Sequence, residues 1–381
     1  MKHALAFGML CCLTFSCRRS DPSGATATAS ATAQSVVAPP TKPPPEPIPA
    51  WKGKILHLWV TSCDDESSEV KELAATIKAH PGLVDSVGLA CNVVRRDGSI
   101  TTTGERPKHG RPQVAALLQS LSVETTLVVA NTGKSGFDGA LGLALVKDSV
   151  ARAALIKNLL TLQKAEKHAA IELDLEAMPT AARDPYSKLA HELRDAAGPN
   201  VRLEVDVHPK TADDPGWDGP GAHDYVALAD AGAIVRLMTY DFSIGPVPPG
   251  PTTTSSWVKS VVAYARGKGV PAAQLEIGVP GYGYDFPPKG AKSAPVSLKH
   301  REVLALIKSQ GALVIRDPNG TPYFPYDGKD GLHQVWYDDA ESVARLLDDL
   351  ATIVDDVRGA SMWGIDGADP RMVEILVHAG F

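Results

Sequence analysis

Between Trp51 and Phe381 the hydrophobic pattern switches repeatedly between a period of two and a helical period. Short apolar or alternating runs predict strands at Ile55–Val60, Val87–Val94, Thr126–Ala130, Ile171–Glu176, Arg202–Val207, Ile234–Tyr240, Leu275–Val279 and Ala360–Trp363. Helical spacing fills the gaps at Glu66–His80, Ser149–His168, Pro185–Ala197, Ser255–Lys268 and Pro370–His378. Strands alternating with helices predict a parallel α/β architecture, and their number favours a closed (β/α)8 TIM barrel over an open doubly wound sheet. Thr61-Ser62-Cys63-Asp64 follows the first strand, where a nucleotide-binding fold would carry a glycine-rich turn. Between the seventh and eighth strands an insertion, about residues 293–338, holds a helical stretch, Leu298–Gln310, and short aromatic strands around Asn319-Gly320. It predicts a small α+β subdomain walling one side of the barrel's C-terminal face.

One strand stands apart. In Ala169-Ala170-Ile171-Glu172-Leu173-Asp174-Leu175-Glu176 the apolar side chains share one face and three carboxylates crowd the other. Successive acids lie about 6.6 Å apart along the strand, near enough for side chains to tilt together and share a proton. Such crowding drives pKa values apart, as acid–base chemistry requires. A solvent-washed edge strand is the bland alternative; the Leu and Ile flanks and the abrupt stop at Met178-Pro179 weigh against it. The next strand places Arg202, Glu204, Asp206 and His208 on one face, and the one after it Arg236, Met238 and Tyr240. Either Arg202 or Arg236 is the natural partner for Glu172, because an unpaired buried carboxylate is costly. Tyr282 and Tyr284 stand among glycines after the seventh strand and Trp363 ends the eighth, aromatic surfaces that suit the apolar faces of sugar rings. His57, His208, His223 and His333 are dispersed, and no His-x-x-x-His or paired-Cys motif suggests a metal. No serine elbow is present.

The ends and the composition narrow the picture further. Met1-Lys2-His3, the apolar Ala4–Phe15 and Ser16-Cys17 form an export signal over residues 1–17, of lipoprotein type if Cys17 is acylated and of ordinary secretory type otherwise. Residues 18–50, rich in Ala, Ser, Thr and then Pro, read as a tether to a catalytic barrel over 51–381. Of five cysteines only Cys63 and Cys91 follow the leader; they are either a disulfide between neighbouring strands or two buried thiols. A formal charge of −6 gives no support to nucleic-acid binding.

The acidic run resembles the Asp-x-x-Asp-x-Asp-x-Glu signature of glycoside hydrolase family 18, the chitinase-like barrels. The resemblance continues through Leu237-Met-Thr-Tyr-Asp241, Gly278-Val-Pro-Gly-Tyr-Gly-Tyr-Asp285, Gln334-Val-Trp-Tyr337 and Ser361-Met-Trp-Gly364, and is closest to the bacterial branch containing the spore-cortex N-acetylglucosaminidases. It implies a retaining hydrolase of β-linked N-acetylglucosamine glycans, with Glu176 as general acid, Asp174 aligning the substrate's 2-acetamido group and Tyr240 bonding near that group. Asp241 would contact the sugar and Trp363 would floor the reacting ring, with Glu172, Asp206, Met238, Tyr282, Tyr284 and Trp336 completing the binding site. It implies no cofactor and no metal, a monomer, and an N-acetylated polysaccharide, peptidoglycan or chitin, as the partner of an exported, envelope-tethered or secreted protein. Two positions depart from the signature: Ala169 replaces its first aspartate and Glu172 its second. An inactive, carbohydrate-binding barrel is the rival reading.

Overall fold

The computed structural model describes residues 49–104, 108–134, 136–213, 217–245, 247–291 and 293–381. The expected leader, and all but the last two residues of the expected tether, lie outside the described residues. Among the described residues no helix is long and apolar enough to cross a membrane.

Eight parallel strands close on themselves: β1 (Ile55–Val60), β2 (Ser86–Leu89), β3 (Glu124–Ala130), β4 (Ala170–Asp174), β5 (Arg202–Val207), β6 (Ile234–Leu237), β7 (Leu275–Pro280) and β8 (Gly359–Trp363), with β8 pairing back to β1. Helices surround this (β/α)8 barrel, and the main apolar core lies between them and the outward faces of the strands. Ile171, Leu173 and Leu175 belong to that core, which turns Glu172 and Asp174 into the barrel. The helix Arg183–Ala197 shows how the pattern works: Tyr186, Leu189, Ala190 and Leu193 bury one face, and Gly198 ends it at φ 71°.

Several boundaries move. The expected strand Val87–Val94 is two, β2 and Asn92–Val94; the latter pairs antiparallel with Ile100–Thr102. The interruption at Ala90-Cys91 is where Cys91 meets Cys63 in a disulfide, Cα atoms 5.8 Å apart, resolving the cysteine question. β4 stops at Asp174 and β6 at Leu237, so Glu176 and Tyr240 stand on the turns above the strands. The amides of Thr239 and Tyr240 bond back to Leu237 and Met238, which takes them out of the ladder. The helices Arg111–Ser120, Gly139–Lys147 and Ala340–Leu350 were not evident in the hydrophobic pattern.

Five antiparallel strands form the insertion, in the order Val296–Leu298, Gly283–Phe286, Gly331–Tyr337, Pro322–Gly328 and Ile315–Arg316. Its own small core is Val303 of the helix His300–Gln310 against Phe324, Val335 and Tyr337. The sheet begins at Gly283, earlier than expected, because that segment pairs with Gly331–Tyr337. Asn319-Gly320 lies between Ile315–Arg316 and Pro322–Gly328, while Lys329-Asp330 turns the two long aromatic strands.

Candidate active site

The barrel interior is charged rather than apolar, and Arg236 organises it. This fully buried guanidinium on β6 lies 2.7 Å from Glu172, 3.0 Å from Glu204, 3.5 Å from Asp206 and 2.9 Å from Glu276. Arg202 is committed elsewhere, to Glu204 at 2.6 Å and Glu124 at 2.8 Å. Of the two candidate partners for Glu172, the structure selects Arg236. Trp59 Nε1 donates to the other Glu172 oxygen at 2.6 Å, and His57 Nε2 lies 3.5 Å away. Glu172 is 0% exposed, and both its oxygens are taken by protein groups, Trp59 on one and Arg236 on the other.

One cation cannot neutralise so many acids in a dry interior, and the surplus appears as retained protons. Burial and the neighbouring Asp206 carboxylate push Glu172 well above the usual carboxylate range, against the pull of Arg236. Asp206 rises to about 7, again chiefly through burial. Burial would raise Glu204 too, but Arg236, His57 and Arg202 overcome it and hold that carboxyl far below its ordinary value. Burial, then the charges of Glu176 and Glu172, drive Asp174 well upward. Glu176 is pushed to about 7 by burial, with Asp241 adding to the rise and a hydrogen bond from Asp174 opposing it. Asp174 and Glu176 thus titrate as a pair, both raised, with Glu176 near neutrality.

The chain after β4 is pinned from three sides. Asn131, fully buried at the end of β3, accepts from the Glu176 amide at 2.8 Å and donates to the Glu176 carbonyl at 2.9 Å. The next residue, Ala177, turns through φ 53°, an uncommon conformation for a residue with a Cβ, and its amide donates to His208 Nε2 at 3.2 Å. Gly139 opens the helix behind this turn; a Cβ there would stand 1.9 Å from the Ala177 carbonyl oxygen, so only glycine permits the approach. His208 Nε2 also lies 3.5 Å from Glu176 Oε2. Because that nitrogen accepts the Ala177 N–H, the ring is neutral, as its lowered pKa, from burial and then His223, also requires. His223 is neutral as well: Nδ1 accepts the His208 amide, Nε2 donates to Leu175 O, and burial holds its pKa at about 4.

The other expected residues divide into groups. Tyr240 lies in the field of Asp206, Glu176 and Asp174, though burial is the main reason its phenol is held well above its ordinary pKa. Asp241 follows at φ 61° and accepts from Tyr282 at 2.6 Å and Tyr284 at 2.8 Å, so these three form one cluster. Met238 and Asp206 are nearly buried, at 7% and 4% exposure. Trp363 is partly exposed and meets Trp59 edge-on at 5.7 Å, which links it through Trp59 to Glu172. Trp336 lies across the insertion sheet from Tyr284 and stacks flat on Tyr323 at 4.2 Å. Among the described residues, two acid–imidazole groupings could share an ion, His57/Glu172/Glu204 and Asp64/Asp65/His109. Arg236 already neutralises the first.

The sequence assigns Asn131 and Trp59 no place at the site, and it presents His57 and His223 only as dispersed histidines. Asn131 had a signal, a lone polar residue closing an apolar strand beside the acidic one; the others carried none that distinguishes them from core.

A family model, "Glycosyl hydrolases family 18", matches residues 119–368. The uncharacterized glycosylase YvbX of Bacillus subtilis (strain 168) is 28% identical over 226 residues, 58% of this chain and 65% of that protein. The cortical fragment-lytic enzyme of Bacillus anthracis is 25% identical over 290 residues, 74% of this chain and 65% of that protein. The chain therefore spans just under two thirds of the length of these relatives. Among solved structures, the Bacillus cereus spore cortex-lytic enzyme SleL superposes with a TM-score of 0.74 at 20% identity, covering 87% of this chain and 75% of that one. A chitinase from Chromobacterium violaceum ATCC 12472 gives 0.73 at 22% identity, covering 86% and 98%.

Proposed function

From the premise that the chain belongs to family 18 of the glycosyl hydrolases, we propose that it hydrolyses β-linked N-acetylglucosamine glycans, peptidoglycan or chitin-like, with retention of configuration. The observation that carries this reading is the Asp174–Glu176 pair beneath the barrel mouth, with Glu176 raised to about 7. At neutral pH such an acid is still partly protonated and can give up its proton readily. Glu176 protonates the glycosidic oxygen while the substrate's own 2-acetamido oxygen attacks C1 and the C1–O bond breaks. The pair is then fully ionised, and the Asp174 carboxylate stabilises the positive oxazolinium. Water, losing its proton to Glu176, attacks C1 and reopens that ring.

Tyr240 bonds near the acetamido group, Asp241 with Tyr282 and Tyr284 borders the sugar, and Trp363 floors it. Relatives described as cortical fragment-lytic support peptidoglycan, and the fold shared with chitinases leaves chitin beside it. The enzyme acts as a monomer, exported by residues 1–17 and held to the envelope through Cys17 and the tether. Mass spectrometry of the mature N-terminus checks the anchor.

The decisive experiment digests purified peptidoglycan and chitin oligomers in parallel, with wild type and Glu176→Gln, and identifies products by mass. New N-acetylglucosamine reducing ends are expected from the wild type. Glu176→Gln should lose about 10²- to 10⁴-fold in kcat while still binding glycan. Absence of wild-type turnover on every N-acetylated substrate refutes the hydrolase and favours the binding barrel.

A further inference from the structure

Away from the barrel interior, buried polar atoms without a hydrogen-bond partner cluster at one corner of the described residues: Asp338 Oδ2 and the hydroxyls of Thr252 and Thr253. These residues are 4%, 2% and 4% exposed. Asp338 and Thr253 line a cavity of about 20 Å³ together with Thr321, Ser342, Asn319 and Asp349, room for a single water-sized occupant. The side-chain nitrogen of Asn319 is turned to Asp317 at 3.0 Å, so the other polar side-chain atoms of this wall are oxygens. Its charge is negative. Burial pushes Asp338 up to about 7; Thr252 lies close enough to ease that charge though not in bonding geometry, and Ser342 donates to the other oxygen at 3.2 Å, while Asp339 and Asp317 add to the rise. Arg316 is committed to Asp339 at 2.6 Å and Glu341 at 3.1 Å. Asp349 brings a second carboxylate at the open side, where Ser255 donates to it at 2.8 Å. The first turn of the helix Ser255–Gly267 adds about half a positive charge, less than two carboxylates carry.

A water would give these oxygens a partner and leave the buried charge where it is, whereas a cation does both. An all-oxygen donor set with carboxylates selects a hard ion, and calcium accepts several oxygens in flexible arrays, waters included, where magnesium demands an octahedron. We propose that this cavity is a calcium site, with Asp338 and Thr253 as its buried ligands and Asp349 and water completing it from the open side. The ion has structural work there. The Asp338 amide donates to the Tyr282 carbonyl at 3.0 Å, and the Thr252 carbonyl accepts from the Phe242 amide at 2.9 Å. Phe242 follows Asp241, to which Tyr282 donates at 2.6 Å. Calcium therefore clips the strand Gly331–Tyr337, as it returns from the insertion, to the loop after β6, and so braces the two segments that bring Asp241 and Tyr282 together. None of this depends on the chemistry assigned to Glu176.

The test uses the full chain stripped with EDTA and dialysed, with calcium chloride as the probe. Calorimetric titration should find a single site, and about 10 mM calcium should raise the unfolding temperature by about 3 °C, as a site of submillimolar affinity would in a chain of this size. Magnesium chloride or sodium chloride at matched ionic strength should not. Asp338→Asn should abolish the rise. Thr253→Val keeps the carboxylate and the side chain's shape and should weaken calcium binding about 10-fold, so it carries the test if Asp338→Asn does not fold. A wild type indifferent to calcium, an equal rise with magnesium or sodium, or a calcium response unchanged in either folded variant overturns the proposal; the cavity then holds water, or calcium binds elsewhere, as at Asp64/Asp65/His109.

Discussion

Replacing Arg236 by methionine should cost more stability than removing any single acid around it, because cations are the scarce component of the barrel interior. Breaking one buried ion pair costs about 3–5 kcal/mol, chiefly by stranding the remaining charge. Arg236 faces four acids, at 2.7 to 3.5 Å, but the cost is not fourfold. Arg202 still holds Glu204, Arg358 still holds Glu276 at 2.5 Å, and Glu172 and Asp206 can take up a proton. The expected loss is therefore near the single-pair figure, about 4 kcal/mol. Glu172→Gln should cost about 2 kcal/mol: the amide oxygen still accepts from Trp59, but the NH2 that then faces Arg236 is a donor against a donor and must turn away, while Arg236 keeps its other carboxylates.

Urea unfolding at pH 7 and pH 5 reads both quantities, and the pH dependence carries a sign. In the wild type Glu204 is depressed, so its stabilisation is intact at both pH values and fades only at more acidic pH. Glu172, Asp174 and Asp206 already sit above their unfolded values and rise further without Arg236, so the variant is penalised more at neutral pH and relieved more as they protonate. The gap between wild type and Arg236→Met should narrow on acidification. A gap that widens, or a Glu172→Gln loss as large as that of Arg236→Met, would show that the cation is not what limits the interior.

Three further outcomes follow from the site. The basic limb of kcat/KM should fall near the Glu176 value of about 7, and Asp241→Asn, which removes a charge that raises that value but keeps an acceptor for both tyrosines, should move the limb to lower pH; a limb that stays or rises contradicts the assignment. Asn131→Ala removes three part-buried hydrogen bonds to Glu176 and Asp138 and should lower stability by about 3 kcal/mol, with a fall in kcat that exceeds any change in KM. Denatured, unreduced barrel should show no free thiol, and Cys63→Ser/Cys91→Ser should lose about 3–4 kcal/mol in a denaturant titration, from a bridge with a sequence separation of 28.

What the sequence made legible was periodicity and local clustering. β4 could be read because its apolar face packs under the helices and its acids turn inwards, so the alternation reports two environments at once. Tyr282 and Asp241 were legible only as members of a motif series; that they meet at 2.6 Å depends on β6 and β7 being neighbours. The wall around the acids was not legible at all. Trp59 is 113 residues from the Glu172 it supports, and His57 and Trp59 read as an ordinary buried strand. A hydrophobic pattern records how wet a position is, whereas the partner of a buried polar atom is chosen by strand order and register. Glu172 shows the consequence: taken alone it is an oversized replacement, but inside the closed barrel its extra length meets Trp59 and Arg236 on either oxygen. The longer side chain is thus accommodated by partners that strand order, and not the local sequence, supplies.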